Sequence, residues 1–428
     1  MSQTNQTQLN EEEKNYIESL AKDAKKASIN LRAVDTWQKN EALVILADLL
    51  DANRVEIQQE NSKDIEAAKS AGLSRAMIDR LLLNDKVINS MIQSLHEISA
   101  LTDPVGEIAE GKTLPNGLRL VKKRIPIGVV AIIYESRPNV TVDVGALGLK
   151  SSNAVILRGG KEAVFSNKYL ASLFQKALEK ANLPPAAITF MENPDRNLLR
   201  GLLRLKNDID LIVPRGGSAL INFVAENSLI PVVKHDAGVC HVYIHKSADK
   251  EKALSILLNA KTQRPGVCNA AETVLLDKDL PFLDETLNAL TKAGVTLHGD
   301  IETKKELSEF DIKDLNEEGY HTEYLSMNIS VKTVNGYQEA IDHIQIYNSA
   351  HSEAIIAEDI SVVNEFEKQL DSAAIFINCS TRFHDGGQFG MGAEVGIATG
   401  KLHARGPMGL RDLTTTKFVV SGNGQIRT

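Results

Sequence analysis

The residue types best suited to covalent chemistry cluster around Cys268, in the stretch Gln263-Arg264-Pro265-Gly266-Val267-Cys268-Asn269. Pro265 and Gly266 end the helical segment Lys250–Lys261, and the β-rich run Thr273–Asp277 follows the cysteine. A thiol on so tight a loop can face a pocket lined by backbone N–H groups. A free thiol has a pKa of about 8.5, so a nucleophilic role needs a cation or helix dipole to favour the thiolate. Arg264 is one such cation. The competing reading is a small core residue, the common fate of an isolated cysteine. A second stretch, Arg124 to Val140, runs from β-branched residues into the polar loop Ser136-Arg137-Pro138-Asn139. Loops at the carboxyl ends of strands are where open α/β sheets bind ligands. There Asn139 either donates from its amide or caps the next helix, and Arg137 offers a fork for a carboxylate or phosphate.

Two glycine pairs suggest a nucleotide. Val155-Ile156-Leu157-Arg158-Gly159-Gly160-Lys161-Glu162 passes from strand to glycine pair to helix, flanked by two cations, and Ile212-Val213-Pro214-Arg215-Gly216-Gly217-Ser218 repeats the pattern. Backbone N–H groups at a helix start suit phosphates, although a glycine pair is also an inexpensive sharp corner. Gly390, Gly392 and Gly396 lack the spacing of a dinucleotide fingerprint and read as a loop near the site. Cys240-His241 has no spaced partners for zinc, so no metal is expected. Lys22, Lys25 and Lys26 read as one solvated helix face.

These stretches need a scaffold. Leu43, Leu46, Ala47 and Leu50, and later Val87, Met91, Leu95 and Ile98, recur at helical spacing, with Asp35 and Asn84 or Asp85 as caps. Pro115-Asn116-Gly117 marks the turn of a hairpin within Thr113–Pro126. Short β-branched runs then alternate with helices: Gly128–Tyr134, Ala154–Leu157, Ile209–Val213, Ile230–Val233, Val242–His245, Thr273–Asp277, Asn328–Lys332 and Ala374–Asn378. Between the second and third lies the helical segment Lys161–Ala181, with Val164, Phe165, Leu173, Phe174 and Leu178 as its buried stripe. Thr416–Val420 adds a last β-rich segment. The alternation predicts an α/β protein with largely parallel sheets.

Composition narrows the function. The 428 residues carry 48 Lys+Arg against 56 Asp+Glu, a net charge of −8, and only 5% are aromatic, which disfavours a nucleic-acid-binding surface. A locally basic pocket can still take an anionic substrate. Cys240, Cys268 and Cys379 are too sparse for a disulfide framework and fit a cytoplasmic setting. The polar start Met1–Asn10 does not read as a signal peptide, and the longest apolar run, Ile127–Tyr134, has eight residues, far short of a membrane span.

Taken together, the motifs resemble the aldehyde dehydrogenase superfamily. Within it they are most similar to the gamma-glutamyl phosphate reductase (glutamate-5-semialdehyde dehydrogenase) family of proline biosynthesis. The resemblance rests on Ser136-Arg137-Pro138-Asn139-Val140, Leu157–Glu162, Val239-Cys240-His241-Val242-Tyr243, Gln263–Cys268 and His351-Ser352-Glu353-Ala354-Ile355-Ile356, in order. It implies a Rossmann-type cofactor domain (1–112, 128–240 and 372–409), interleaved with an α/β catalytic domain (241–371) and an oligomerisation flap of strands (113–127 and 410–428). It also implies that the fused kinase domain of bifunctional relatives is absent from this sequence. Cys268 matches the nucleophile and Asn139 a side-chain donor of the oxyanion hole. Arg158, Lys161, Gly216, Gly217, Ser218 and Glu353 match cofactor contacts, with Lys161 favouring the 2′-phosphate of NADPH. Arg137, Arg264 and His351 are candidates for gripping the substrate. The hydrolytic members' Glu-Leu-Gly-Gly-type motif is replaced by His235-Asp236-Ala237-Gly238-Val239, as suits an enzyme whose thioester must escape water, with His235 or Asp236 left as a candidate base. The expected activity is NADPH-dependent reduction of L-glutamyl 5-phosphate by a homo-oligomer, with a possible contact to glutamate 5-kinase. The alternatives are a hydrolytic NAD(P)-dependent aldehyde dehydrogenase and a non-catalytic partner of that kinase.

Overall fold

Six consecutive apolar residues, Val129–Tyr134, leave no wet face, so they require a sheet covered on both sides. In the computed structural model, which describes residues 9–233 and 237–427, they form the interior of such a sheet, every one buried. The described residues divide into two units, one drawn from Met1–Lys234, Gly390–Gly396 and Met408–Thr428, the other from His235–Phe389 and Ile397–Pro407.

The first unit carries β1 (Ile108–Thr113), β2 (Arg119–Pro126), β3 (Val129–Tyr134), β4 (Ala154–Arg158), β5 (Ile188–Phe190) and β6 (Leu211–Arg215). The last four make a parallel sheet in the order β5-β4-β3-β6. Because β4 and β6 leave β3 on opposite sides, the loops after β3 and β6 diverge, which is the ligand-binding position of an open sheet. Gly128 introduces β3 at φ +134, and a Cβ there would fall 2.2 Å from Asp210 Oδ2. Asp210 accepts from Val129 N and pairs with Lys25 at 2.9 Å, so Lys25 is half-buried and not part of a solvated face. The helices Thr36–Ala52 and Asp85–Ala100 bury their expected stripes, except that Ile88 is buried and Val87 only partly so, and Asn84 caps Val87 N at 3.0 Å. The segment after β4 opens as a short 3₁₀ turn, Lys161–Ala163, and becomes α-helical over Val164–Lys180. Leu173, Phe174 and Leu178 are buried as predicted, but Phe165 stays exposed beneath Lys63.

The predicted strand Ile230–Val233 is reduced to a single bridge, Ile212 to Val232. Pro231 has no N–H to extend the ladder. The predicted hairpin is present, its first strand lying earlier than expected. β2 runs between β1 and the final strand, Thr414–Ser421, in an antiparallel three-stranded sheet, with Gly117 at φ +83 in the turn.

The second unit carries β7 (Cys240–Ile244), β8 (Ala271–Asp277), β9 (Thr296–Gly299), β10 (Ile312–Asp314), β11 (Asn328–Val334), β12 (Ser352–Ile356) and β13 (Ala374–Ile377), then the short β14 (Ile397–Ala398) and β15 (Gly406–Pro407). The chain returns to the first unit for β16 (Thr414–Ser421). Strands β7 to β13 form one parallel sheet, ordered β10-β9-β11-β8-β7-β12-β13. β12, not read as a strand from the sequence, is fully buried between β7 and β13. Its pairing Ser352 to Ala374 puts β13 in the second unit, so the domain boundary expected at residue 372 falls instead near residue 390. Among the described residues no helix is long and apolar enough to cross a membrane.

Candidate active site

In the second unit, Cys268 lies partly exposed on the loop between the Lys250–Thr262 helix and β8. Both ends of that loop are fixed by a buried ion pair. Lys261 Nζ donates to Ala271 O and Glu272 Oε2, each at 2.7 Å, with neither side chain exposed. Burial outweighs the partner at both ends, lowering Lys261 and pushing Glu272 up to about 7. The turn closes through Ala270 N to Val267 O, while Asn269 donates from Nδ2 to His384 O at 3.0 Å and accepts at its carbonyl from Thr381 Oγ1 at 2.7 Å. Behind the loop, the buried Cys240 thiol donates to Cys268 O at 3.1 Å. Gly238 comes so close that a Cβ there would fall 1.9 Å from the same oxygen. Glu323 Oε1 accepts from Gly238 N at 2.9 Å, which anchors this approach.

Two arginines give the loop its charge. Arg264 is exposed, and Arg382, half-buried, donates from Nε to Gln263 Oε1 at 2.8 Å. Burial lowers the proton affinity of Arg382, as does the like charge of Arg264, while Cys268 acts in the opposite sense. Neither arginine forms an ion pair among the described residues. Asp385 acts on Arg382 in the same sense as Cys268, and cationic charge beside a partly exposed thiol suits an anionic acyl substrate.

Two predicted contact residues are buried. His351, proposed to grip substrate, has no exposed surface: it stands at the head of β12, with Nδ1 2.7 Å from Ser352 Oγ, which in turn lies 2.7 Å from His384 Nδ1. Glu353, matched to a cofactor ribose, is also fully buried. Its Oε2 accepts from His241 N and lies 3.0 Å from His241 Nδ1, and its Oε1 accepts from Ser372 Oγ, as the central position of β12 dictates. His235 and Asp236 lie outside the described residues.

In the first unit, the carboxyl ends of β4, β3 and β6 carry the other predicted residues. Asn139 stands at the N-cap of the Val140–Lys150 helix, but its side chain donates to Asp143 Oδ2 at 3.1 Å and makes no cap bond. Burial raises the Asp143 pKa. Ser136 takes a left-handed φ of +43 and is held there by Glu162 Oε1, which accepts from its N and Oγ, both at 2.7 Å. Arg137 is half-buried in the same turn. Arg158 is buried, with Nη2 donating to Pro194 O at 2.5 Å and Nε lacking a partner among the described residues; Lys161 is exposed. At the next corner Gly217 caps the Ser218–Asn227 helix, and its N–H donates to Glu135 Oε2 at 3.0 Å. A Cβ at Gly216 would fall 2.4 Å from that oxygen. This helix terminus therefore takes an oxyanion, here the Glu135 carboxylate.

Glu135 and Glu162 fall inside the stretches quoted from the sequence, but nothing in their spacing signals their roles. Cys240 lies in a quoted motif that gives no hint of its contact with Cys268, and Glu323, Arg382 and His384 are distant in sequence from Cys268 and carry no motif of their own. Among the described residues, no group of three or more His, Cys, Asp and Glu is placed to hold a metal.

Comparison with known proteins gives this geometry its context. The aldehyde dehydrogenase family model matches residues 1–305. This chain belongs to the aldehyde dehydrogenase family. A relative in Leptospira interrogans, a gamma-glutamyl phosphate reductase, is 52% identical over 413 residues, covering 96% of this chain and 99% of its own. One of the same description from Aquifex aeolicus is 46% identical, over 96% of this chain and 97% of its own. The crystal structure of gamma-glutamyl phosphate reductase from Thermotoga maritima superposes with a TM-score of 0.94 at 43% identity, covering 96% of this chain and all of that one. An acetylating aldehyde dehydrogenase from Geobacillus thermoglucosidasius, 18% identical with a TM-score of 0.68, shares the fold.

Proposed function

We propose that the protein reduces L-glutamyl 5-phosphate to L-glutamate 5-semialdehyde with release of phosphate, the second step of proline biosynthesis from glutamate. The supporting observation is the Cys268 loop, pinned at both ends and bearing a partly exposed thiol beside Arg382 and Arg264. Cys268 as thiolate attacks the acyl carbon, the new S–C bond forms, and the C–O bond to phosphate breaks as phosphate leaves. The Asn139 amide and the Cys268 N–H are the proposed donors to the transient oxyanion, each worth roughly 10²–10³ in turnover. Arg264, with Arg382, attracts the substrate's negative charge, and Arg137 is a further proposed contact.

NADPH is the proposed cofactor, and when bound it would supply hydride to the thioester carbon; breaking of the S–C bond in the resulting thiohemiacetal then releases the semialdehyde and restores the Cys268 thiolate. Arg158 and Lys161 would hold its ribose and 2′-phosphate, and the Gly216-Gly217-Ser218 corner its pyrophosphate. The carboxylate held at Gly217 N–H and an Arg158 Nε without a partner among the described residues support that fit. We place the enzyme in the cytoplasm, in keeping with three free cysteines, as a homo-oligomer. A contact with glutamate 5-kinase would shorten the transit of a labile acyl phosphate.

The test is Cys268→Ala. Turnover should vanish while NADPH binding, followed by fluorescence, stays near that of the unmodified protein. With the unmodified enzyme, reduction of NADP⁺ by the semialdehyde should require phosphate or arsenate. Activity without either would show hydrolytic chemistry, and substantial reductase activity in the alanine variant would remove the covalent step.

A further inference from the structure

We propose that Cys240 is a positioning residue for Cys268: its buried S–H, by donating to the Cys268 carbonyl, fixes the rotation of the Cys268–Asn269 peptide. The inference rests on the reading of Cys268 as nucleophile. Cys240 opens β7, where the pairing with β8 slips: Cys240 faces Ala271 but His241 faces Thr273, so Glu272 is an extra residue. Such a bulge re-aims the side chain beside it, and here the Sγ of Cys240 comes within 3.1 Å of Cys268 O. Gly238 leaves no side chain between the two segments.

A series of polar contacts then returns to the side chain of Asn269, the residue that completes this peptide. Cys240 Sγ lies 3.7 Å from His351 Nδ1, His351 and His384 share Ser352 Oγ, and His384 O accepts from Asn269 Nδ2. A trans peptide is planar, so a carbonyl held toward Cys240 directs the Asn269 N–H the opposite way, and it restrains the rotation about the Cα–C bond of Cys268, next to the Cα–Cβ bond that carries the reactive thiol. Burial, then the nearby Glu353 and Cys268, raise the Cys240 pKa well above that of an ordinary thiol, so its S–H remains a donor through the neutral range.

The experiment compares Cys240→Ala, Cys240→Val and Cys240→Ser. Serine can still donate to the carbonyl; valine fills the space without donating. Two measurements are made: kcat and KM in the semialdehyde, phosphate and NADP⁺ direction, and the pH profile of Cys268 alkylation by iodoacetamide, followed on its own peptide. Ala and Val should lower kcat roughly tenfold with little change in KM, since an orphaned carbonyl loses its hydrogen bond. The same loss leaves extra negative potential beside the thiolate and should move the alkylation midpoint to higher pH. Ser should restore both. Should Cys240→Ala fail to fold, the Val and Ser pair carries the comparison. Unchanged values in all variants, or a serine variant as impaired as valine, would overturn the proposal. Alkylation is read without substrate, so it is separable from the reaction itself, which Cys268→Ala tests.

Discussion

Lys161 is the residue on which the proposed preference for NADPH rests: it is exposed at the turn after β4, and the neighbouring carboxylate, Glu162, is spent on Ser136. Lys161→Glu places a negative charge where a 2′-phosphate would sit. Loss of a charge-assisted contact, worth roughly 1.5–3 kcal/mol, should cut kcat/KM for NADPH by about ten- to a hundredfold and spare NADH. Steady-state constants for both cofactors measure this, and equal efficiency in the unmodified enzyme would defeat the assignment. Single residues also mark the limit of motif reading. Asn139 and Cys268 stood out because their neighbours break regular structure. Arg382 did not, since its place beside Arg264 depends on a return of the chain more than a hundred residues later.

At the scale of elements, the Lys261–Glu272 pair joins the helix before Cys268 to the strand after it. Lys261→Met leaves a buried carboxyl without its partner and should cost about 3–5 kcal/mol, read as a lower unfolding midpoint in urea. Replacing both residues by apolar ones should recover most of the loss. The Tyr337–Tyr347 helix gives a pH-dependent prediction. Its His343 packs against Tyr320, Tyr347 and His241, and burial, aided by His241, holds its pKa down to about 2. An unfolded histidine titrates near pH 6.5, so the unfolded state binds the extra proton below that pH. Stability is therefore lost as pH falls from about 6.5, by up to about 1.4 kcal/mol per pH unit. Asp300, lowered to about 2 against the pull of its burial by Lys332 and Thr303, acts in the same sense but only below about pH 4. Glu272 acts in the opposite sense, its raised pKa removing stability as pH rises toward 7. The informative comparison is therefore between two proteins: His343→Phe should flatten the fall between pH 6 and 4, seen in thermal unfolding curves, and an unchanged slope would refute it.

For the whole molecule, the three-stranded sheet is the feature that a lone chain explains least. Every residue of β1 is exposed, and Phe418 and Val420 of β16 are 63% and 53% exposed. Three strands with little core of their own are marginal in water, and their free edges invite pairing. The proposed oligomer would cover them. Phe418→Asp should shift the sedimentation coefficient toward a single chain while leaving far-UV circular dichroism unchanged; an unaltered coefficient would place the interface elsewhere.

The order of short apolar runs and helices was enough to determine a parallel α/β architecture, because period and β-branching report burial locally. The Pro265-Gly266 break before Cys268 and the two glycine corners were equally local, and so was the hairpin turn. Folding in three dimensions decided what those loops meet. It buried Glu353 within β12 and His351 just before it, set Glu135 at the helix start beside Gly217, and brought Cys240, Gly238 and Arg382 to the Cys268 loop. None of these could be read from spacing, since each arises from parallel strands whose neighbours in the sheet are far apart along the chain.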